Sequence, residues 1–129
     1  MKFWVGLLIA ILLLIACDKE TSPLLVGKWQ LKTVEKNGEV SAIDTVWYNF
    51  QSESIFAFQI YESQYDRYLL FEGLRTQKNN EISIELFNKW IVNHSDWSGV
   101  KRSFVIDRIN KNHLILRSEE GYLYSFIKF

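Results

Sequence analysis

The chain has 129 residues, 16% of them aromatic, and its 15 basic and 15 acidic side chains leave a formal net charge of +0. Lysine and arginine are scattered rather than clustered, so the chain lacks the basic patch that marks a nucleic-acid-binding protein. The length suits one small domain, and the single cysteine excludes a disulfide within the chain.

The first sixteen residues have the pattern of an export signal. A basic residue precedes an apolar run over residues 3–15, and small Ala16 precedes Cys17. A run of this length is typical of a secretory signal and is shorter than the about 20 residues that span a bilayer. Residues 14–17, LIAC, resemble the lipobox of bacterial lipoproteins. The resemblance implies a signal peptide over residues 1–16 and lipidation of Cys17; a plain secretory signal or an uncleaved anchor is the alternative.

A short polar stretch follows the cysteine. We interpret residues 17–24 as the lipidated cysteine and a tether, and we expect the membrane to be a partner through the lipid. Acidic residues after the cysteine resemble surface-export signals of some Gram-negative lipoproteins, while Asp18 at this position resembles an inner-membrane retention signal in others. We expect an envelope lipoprotein of the outer membrane, with its periplasmic or surface-facing side left open.

Short strands and turn signals fill residues 25–129. Residues 26–34 alternate apolar and polar side chains, and Asn37-Gly38 is a strong hairpin signal because both residues accept positive φ. The irregular stretch over 88–102 contains one more candidate strand, at 89–92. The remaining pattern predicts strands over 26–34, 45–50, 55–61, 68–74, 81–87, 103–109, 113–118 and 122–129.

This spacing predicts an all-β fold, since strands recur every 8–12 residues with hairpin-length loops between them. We expect a small antiparallel up-and-down barrel of about eight strands, because closing the sheet removes the unpaired edges that promote aggregation. An open two-sheet sandwich is the alternative.

One motif in the first strand carries a family resemblance. Gly27-x-Trp29 resembles the opening of lipocalin-like proteins, and residues 104–126 resemble the last three strands of small lipocalin-like bacterial lipoproteins. The resemblance implies a lipocalin-like barrel in which Trp29 closes one end beneath a basic side chain from near the last strand. Lys128 is the matching residue, and Arg117 is a less direct match.

Catalytic and metal-binding patterns are weak. His94, Asp96 and His113 offer metal ligands, but their spacing matches no zinc signature. Ser95 adjoins His94 without a Gly-x-Ser-x-Gly elbow, and adjacent side chains seldom converge. We therefore predict no catalytic residues, no metal and no cofactor, and a protein that is not an enzyme.

Two functions remain open. The first is binding of a small apolar ligand in the barrel, with small Ala57, Gly73 and Ser83 facing inward to leave a cavity and Trp90 and Trp97 lining or covering its mouth. The second is an anchored interaction module with a packed barrel, which binds a protein, glycan or envelope component through an aromatic surface.

Overall fold

The computed structural model describes residues 23–129, so Cys17, the predicted signal and most of the predicted tether lie outside the described residues. A helical turn over 23–25 leads into a nine-stranded sheet. Its strands are β1 (Gly27–Lys36), β2 (Glu39–Ala42), β3 (Val46–Phe50), β4 (Ile55–Glu62), β5 (Arg67–Lys78), β6 (Glu81–Leu86), β7 (Lys101–Ile109), β8 (His113–Ser118) and β9 (Leu123–Lys128). Over the same residues, no helix is both long and apolar enough to cross a membrane.

The sheet closes into the predicted barrel. Each strand from β3 onward pairs antiparallel with the next, β3 pairs with β1, and β9 returns to β1. β2 lies outside this ring, paired only with the far end of β1. The closed antiparallel ring of eight strands confirms the predicted up-and-down barrel and rules out the open sandwich.

The predicted hairpin turn is confirmed, but the strand that follows it was missed. Asn37 and Gly38 have φ values of 55° and 84°, as the turn requires. β2 then pairs with the last four residues of β1, and all four of its residues are exposed. Because β2 buries no face, it lacks the apolar alternation by which strands are recognised in a sequence.

The predicted strand at 89–92 is wrong. A 3-10 helix, Lys89–Asn93, occupies this position, and the Asn88 side chain caps it by accepting from the Trp90 backbone N–H at 3.0 Å. Of its residues only Ile91 is buried, so the segment contacts the core at one point instead of along a strand face.

The barrel interior is filled mainly by aromatic and branched side chains that alternate inward along each strand. One end is closed by Trp29, whose indole N–H donates to the Leu25 carbonyl at 2.9 Å; we call this the closed end. At the opposite end β1 finishes, β9 begins and the loop over 94–100 lies; we call this the open end.

Candidate functional site

A pocket of about 400 Å³ opens at the open end of the barrel. Its apolar wall comes from inward-facing residues of β1, β3 and β4 and from the residue after β2. These are Leu31, Val34, Ile43, Val46, Tyr48 and Phe58. Its polar rim consists of Lys36, Ser41, Thr45, Ser95 and Asp96. The pocket therefore has an apolar body and a polar entrance.

Trp97 fills the middle of the barrel next to this pocket. The loop after the 3-10 helix inserts its indole among Tyr48, Phe56, Phe58 and Phe104, with ring centroids 6.1 to 6.4 Å away. Its N–H donates to the Tyr48 hydroxyl at 3.3 Å, and Trp97 is only 2% exposed. Trp97 is therefore part of the packed interior and lies behind the Tyr48 and Phe58 side chains that line the pocket.

A charged network supports the rim. Asp96 accepts from Arg102 at 3.1 Å and from the Tyr124 hydroxyl at 2.5 Å, and Arg102 also donates to that hydroxyl. Burial raises the pKa of Tyr124, and its hydrogen bond to Asp96 raises it further. Tyr124 therefore stays protonated at neutral pH and keeps donating, which holds the Asp96 carboxylate in place.

Lys36, Asp96 and the adjoining Arg102 together carry one net positive charge. The Asp96 carboxylate is matched by Arg102, whose side chain is only 10% exposed. Lys36 lies 3.9 Å from the same carboxylate, but its side chain is 46% exposed and faces the pocket. Because Arg102 already balances Asp96, Lys36 is the cation that an incoming molecule meets.

The polar residues near the pocket are not arranged for hydrolysis. The Ser95 hydroxyl donates to the Ile91 carbonyl at 2.7 Å, and His94 Nδ1 lies 3.0 Å from a Glu62 oxygen. Each side chain is thus hydrogen-bonded to another residue and not to its neighbour, so the two form no nucleophile–base pair. Among residues 23–129, no three histidine, cysteine or carboxylate side chains are grouped closely enough to hold a metal ion.

The expected inward cluster of small residues is wrong. Ala57 lies between Phe56 and Phe58, which both face the core, so its methyl group points out of the barrel. Ser83 also points outward, and its hydroxyl lies 3.2 Å from that of Ser103. The sequence already indicated that Ser83 points outward, because it alternates with Ile82 and Ile84, which are both core residues.

Of the three small residues, Gly73 alone faces inward, and it leaves no space. It pairs with Phe56 on one side and Leu86 on the other. An added Cβ would lie 2.2 Å from the Glu85 carbonyl oxygen and 2.7 Å from the Leu86 Cα. The glycine allows close strand approach, and it does not open a ligand cavity.

The two tryptophans proposed for the mouth lie in different environments. Trp97 is buried in the core, whereas Trp90, on the 3-10 helix, is 63% exposed. Neither contributes to the pocket wall. The expectation that both line or cover the mouth is therefore wrong. Trp97 fills the barrel interior, and Trp90 is a surface residue.

The Gly27-x-Trp29 motif lies at the closed end. Lys128 Nζ sits 4.5 Å from the centroid of the Trp29 ring and donates to the Val26 carbonyl at 2.9 Å. This is the arrangement that the family resemblance implied. Arg117 instead pairs with Asp107 at 2.7 Å on the outer surface.

Sequence reasoning missed most of the rim and wall. Val34, Val46 and Tyr48 carried a recoverable signal, because alternation along β1 and β3 places them on the core face. No sequence pattern predicted that Tyr124 lies next to Asp96 and Arg102, because 22 to 28 residues separate it from them along the chain.

Comparison with known proteins identifies a lipocalin-like family. A family model described as a lipocalin-like domain matches residues 11–129. A crystal structure of a lipocalin-like protein from Bacteroides uniformis is similar at a TM-score of 0.73 and 29% identity, covering 82% of this chain and 99% of that one. The crystal structure of an uncharacterized protein from Bacteroides eggerthii is similar at a TM-score of 0.66 and 25% identity, covering 81% of this chain and 98% of that one. A search of curated protein sequences finds no match.

Proposed function

Because this chain belongs to the lipocalin-like domain family, we propose that it is a lipid-anchored envelope protein that binds a small apolar molecule at the open end of its barrel and catalyses no reaction. The observation that carries the proposal is the pocket of about 400 Å³ with an apolar wall and a polar rim. Its volume falls within the about 300–1,000 Å³ of small-molecule sites.

The pocket favours a particular ligand shape. The apolar body of the ligand contacts Val34, Val46 and Phe58 and is short enough for a pocket of about 400 Å³, because Trp97 fills the interior behind Phe58. Lys36 stands at the entrance, where a carboxylate or another acceptor on the ligand meets its ammonium group. We therefore propose a small amphiphile with an acidic or acceptor head.

The anchor rests on the LIAC sequence that ends at Cys17. Two or more acyl chains on one cysteine hold a protein firmly on a bilayer, whereas one holds it only marginally. Expressed in a Gram-negative host, the wild-type chain should enter the membrane fraction with the mass of an acylated protein. Cys17→Ala should remove the acyl mass; a variant that is cleaved yet remains in the membrane contradicts this anchor.

Filling the pocket tests ligand binding. The probe is a medium-chain fatty acid carrying an environment-sensitive fluorophore, titrated with the wild-type protein and with Val34→Phe, which adds a ring to the wall. Val105→Phe is the matched control, because Val105 is 45% exposed on the outer face of β7. Ser41→Trp, at the exposed rim, is a second blocking variant that leaves the core untouched.

We expect both blocking variants to weaken probe binding by about tenfold or more, equivalent to about 1.4 kcal/mol, and the control to bind as the wild type does. If Val34→Phe and Ser41→Trp bind the probe as the wild type does, and unfold as it does, the proposal that the ligand binds in this pocket is wrong.

The head-group preference is tested separately. Lys36→Gln should weaken binding of the fatty acid more than binding of the alcohol with the same chain, because only the acid gains from the ammonium charge. Equal losses for acid and alcohol contradict the acidic head but leave the apolar pocket standing.

One further observation supports the alternative of an interaction module. Four side chains form an outer aromatic cluster: Trp47, Tyr61, Tyr68 and Phe129. Tyr68 and Phe129 are 61% and 68% exposed, which is typical of a surface that contacts another molecule. Tyr68→Ala should then weaken capture of an envelope protein or glycan while fatty-acid binding is unchanged.

A further inference from the structure

We propose that the closed end of the barrel rests on the anionic bilayer that carries the anchor, so that the open end and its pocket face away from the membrane. This inference rests on the proposed lipidation of Cys17. Three features of the closed end support it: the point where the chain enters the domain, its exposed apolar side chains and its charge.

The entry point limits how the domain can sit. Only residues 18–22 separate Cys17 from Pro23, and each of the six steps between them spans at most about 3.5 Å, so the two Cα atoms lie within about 21 Å of each other in any conformation. Leu25 is completely buried and accepts from the Trp29 indole, which attaches this entry point to the closed end. β1 has ten residues, and at about 3.3 Å each its other end is about 30 Å away.

Exposed apolar side chains occur at both ends, since Phe87 and Trp90 are exposed near the open end, but at the closed end they lie beside lysine. Val26 is 37% exposed. Phe129, which follows β9, is 68% exposed, and its backbone N–H donates to the Lys28 carbonyl at 2.9 Å. Lys28 Nζ lies 4.9 Å from the Phe129 ring centroid. A lysine beside an exposed ring suits the bilayer interface, where the ring enters the headgroup layer and the ammonium meets phosphate.

The charge of this end points to an anionic surface. Lys28 and Lys128 lie at the ends of β1 and β9, and the turns at this end add two more lysines and two glutamates. The charged side chains near the turns of the closed end include Lys28, Lys78, Lys111, Lys128, Glu53 and Glu81, together with the buried Arg75. Lysines are thus in excess, and each lysine near an anionic leaflet favours contact. Around the open end, the β1–β2 and β8–β9 segments bring acidic residues, among them Glu39, Glu119 and Glu120.

The orientation is measured with two labelled cysteines. Lipidation consumes the sulfur of Cys17, the single cysteine, so an introduced cysteine is the one thiol left to label. Asn112→Cys places a fluorophore in the β7–β8 turn at the closed end, and Val40→Cys places it in the β1–β2 hairpin at the open end; both positions are exposed. The lipidated full chain is reconstituted in vesicles of phosphatidylethanolamine and phosphatidylglycerol that contain a headgroup-attached quencher.

We expect at least about twofold stronger quenching at position 112 than at position 40, because a label resting on the headgroups lies within reach of the quencher. The double variant Lys78→Glu/Lys111→Glu should reduce this difference, and so should replacing phosphatidylglycerol by phosphatidylcholine. The matched control Lys89→Glu/Lys101→Glu reverses two exposed lysines away from the closed end and should leave the difference unchanged.

Two outcomes overturn the inference, and they differ. If the protein floats with the vesicles but position 40 is quenched as strongly as position 112, the anchor stands and the orientation is wrong. If the protein does not float with the vesicles, the anchor itself fails, and the orientation with it.

Discussion

Lys128 covers Trp29: its ammonium group lies 4.5 Å from the centroid of the indole and donates to the Val26 carbonyl. Gly27 makes room for this contact, because a Cβ there would lie 2.2 Å from Lys128 Nζ, and its φ of +135° strains any other residue. The motif thus joins the first strand of the barrel to the last and seals the closed end.

Replacing Lys128 with Met should destabilise the domain by about 0.5–2 kcal/mol, the range for a cation over an aromatic face. The methionine keeps an unbranched stem over Trp29 but loses the charge and the hydrogen bond. Urea unfolding followed by tryptophan fluorescence measures the change. Lys111→Met is the control, since Lys111 is exposed in a turn at the same end; equal effects of the two changes would contradict the role of the contact.

Gly73→Ala should cost about 1–3 kcal/mol or more, because the new methyl group meets strand backbone that has little room to move. Gly99→Ala is the matched control: nothing lies within 4 Å of a Cβ at that position. Thermal unfolding of the two variants makes the comparison. A Gly73→Ala variant as stable as the wild type would mean that β5 and β6 lie further apart at this point.

Trp97→Ala should destabilise the domain by about 3–5 kcal/mol, as removal of a large buried aromatic does. The space left should connect with the pocket beside Tyr48, so the variant, where folded, should accept a longer fatty acid than the wild type. Trp90→Ala, at a 63% exposed position, should change stability by less than about 0.5 kcal/mol. If the two variants are equally stable, Trp97 does not plug the barrel.

Tyr48 should make stability fall at alkaline pH. Burial raises the pKa of its hydroxyl far above the ordinary value of about 10. Above about pH 10 the unfolded chain loses this proton while the folded chain keeps it, so the free energy of unfolding falls as pH rises toward the folded-state pKa. Below about pH 10 the contribution is fully present.

Urea unfolding at a series of alkaline pH values measures this dependence. Tyr48→Phe should make the decline shallower, even if its absolute stability is lower because the Trp97 indole loses its acceptor. Tyr65→Phe is the control, since Tyr65 is 60% exposed. A decline in Tyr48→Phe as steep as in the wild type would assign the pH dependence to other groups.

The sequence alone predicted an all-β fold of about eight antiparallel strands, and the β9–β1 pairing then decided for the barrel over the open sandwich. Alternation in segments such as 81–87, the Asn37-Gly38 turn and Gly27-x-Trp29 are local patterns, and each needs only neighbouring residues to be recognised. The same local logic failed where a segment buries no face, as in β2, or contacts the core at one residue, as Ile91 does in the 3-10 helix.

The tertiary structure decided the site. Trp97 fills the barrel only because the loop over 94–100 folds inward, and Asp96 meets Arg102 and Tyr124 only because three separate segments converge at the open end. Packing of loop side chains depends on the space that the closed sheet leaves, and no local pattern encodes that space. The sequence therefore predicted the barrel strands, while the shape of the pocket and the charged groups at its rim follow from how the closed barrel packs.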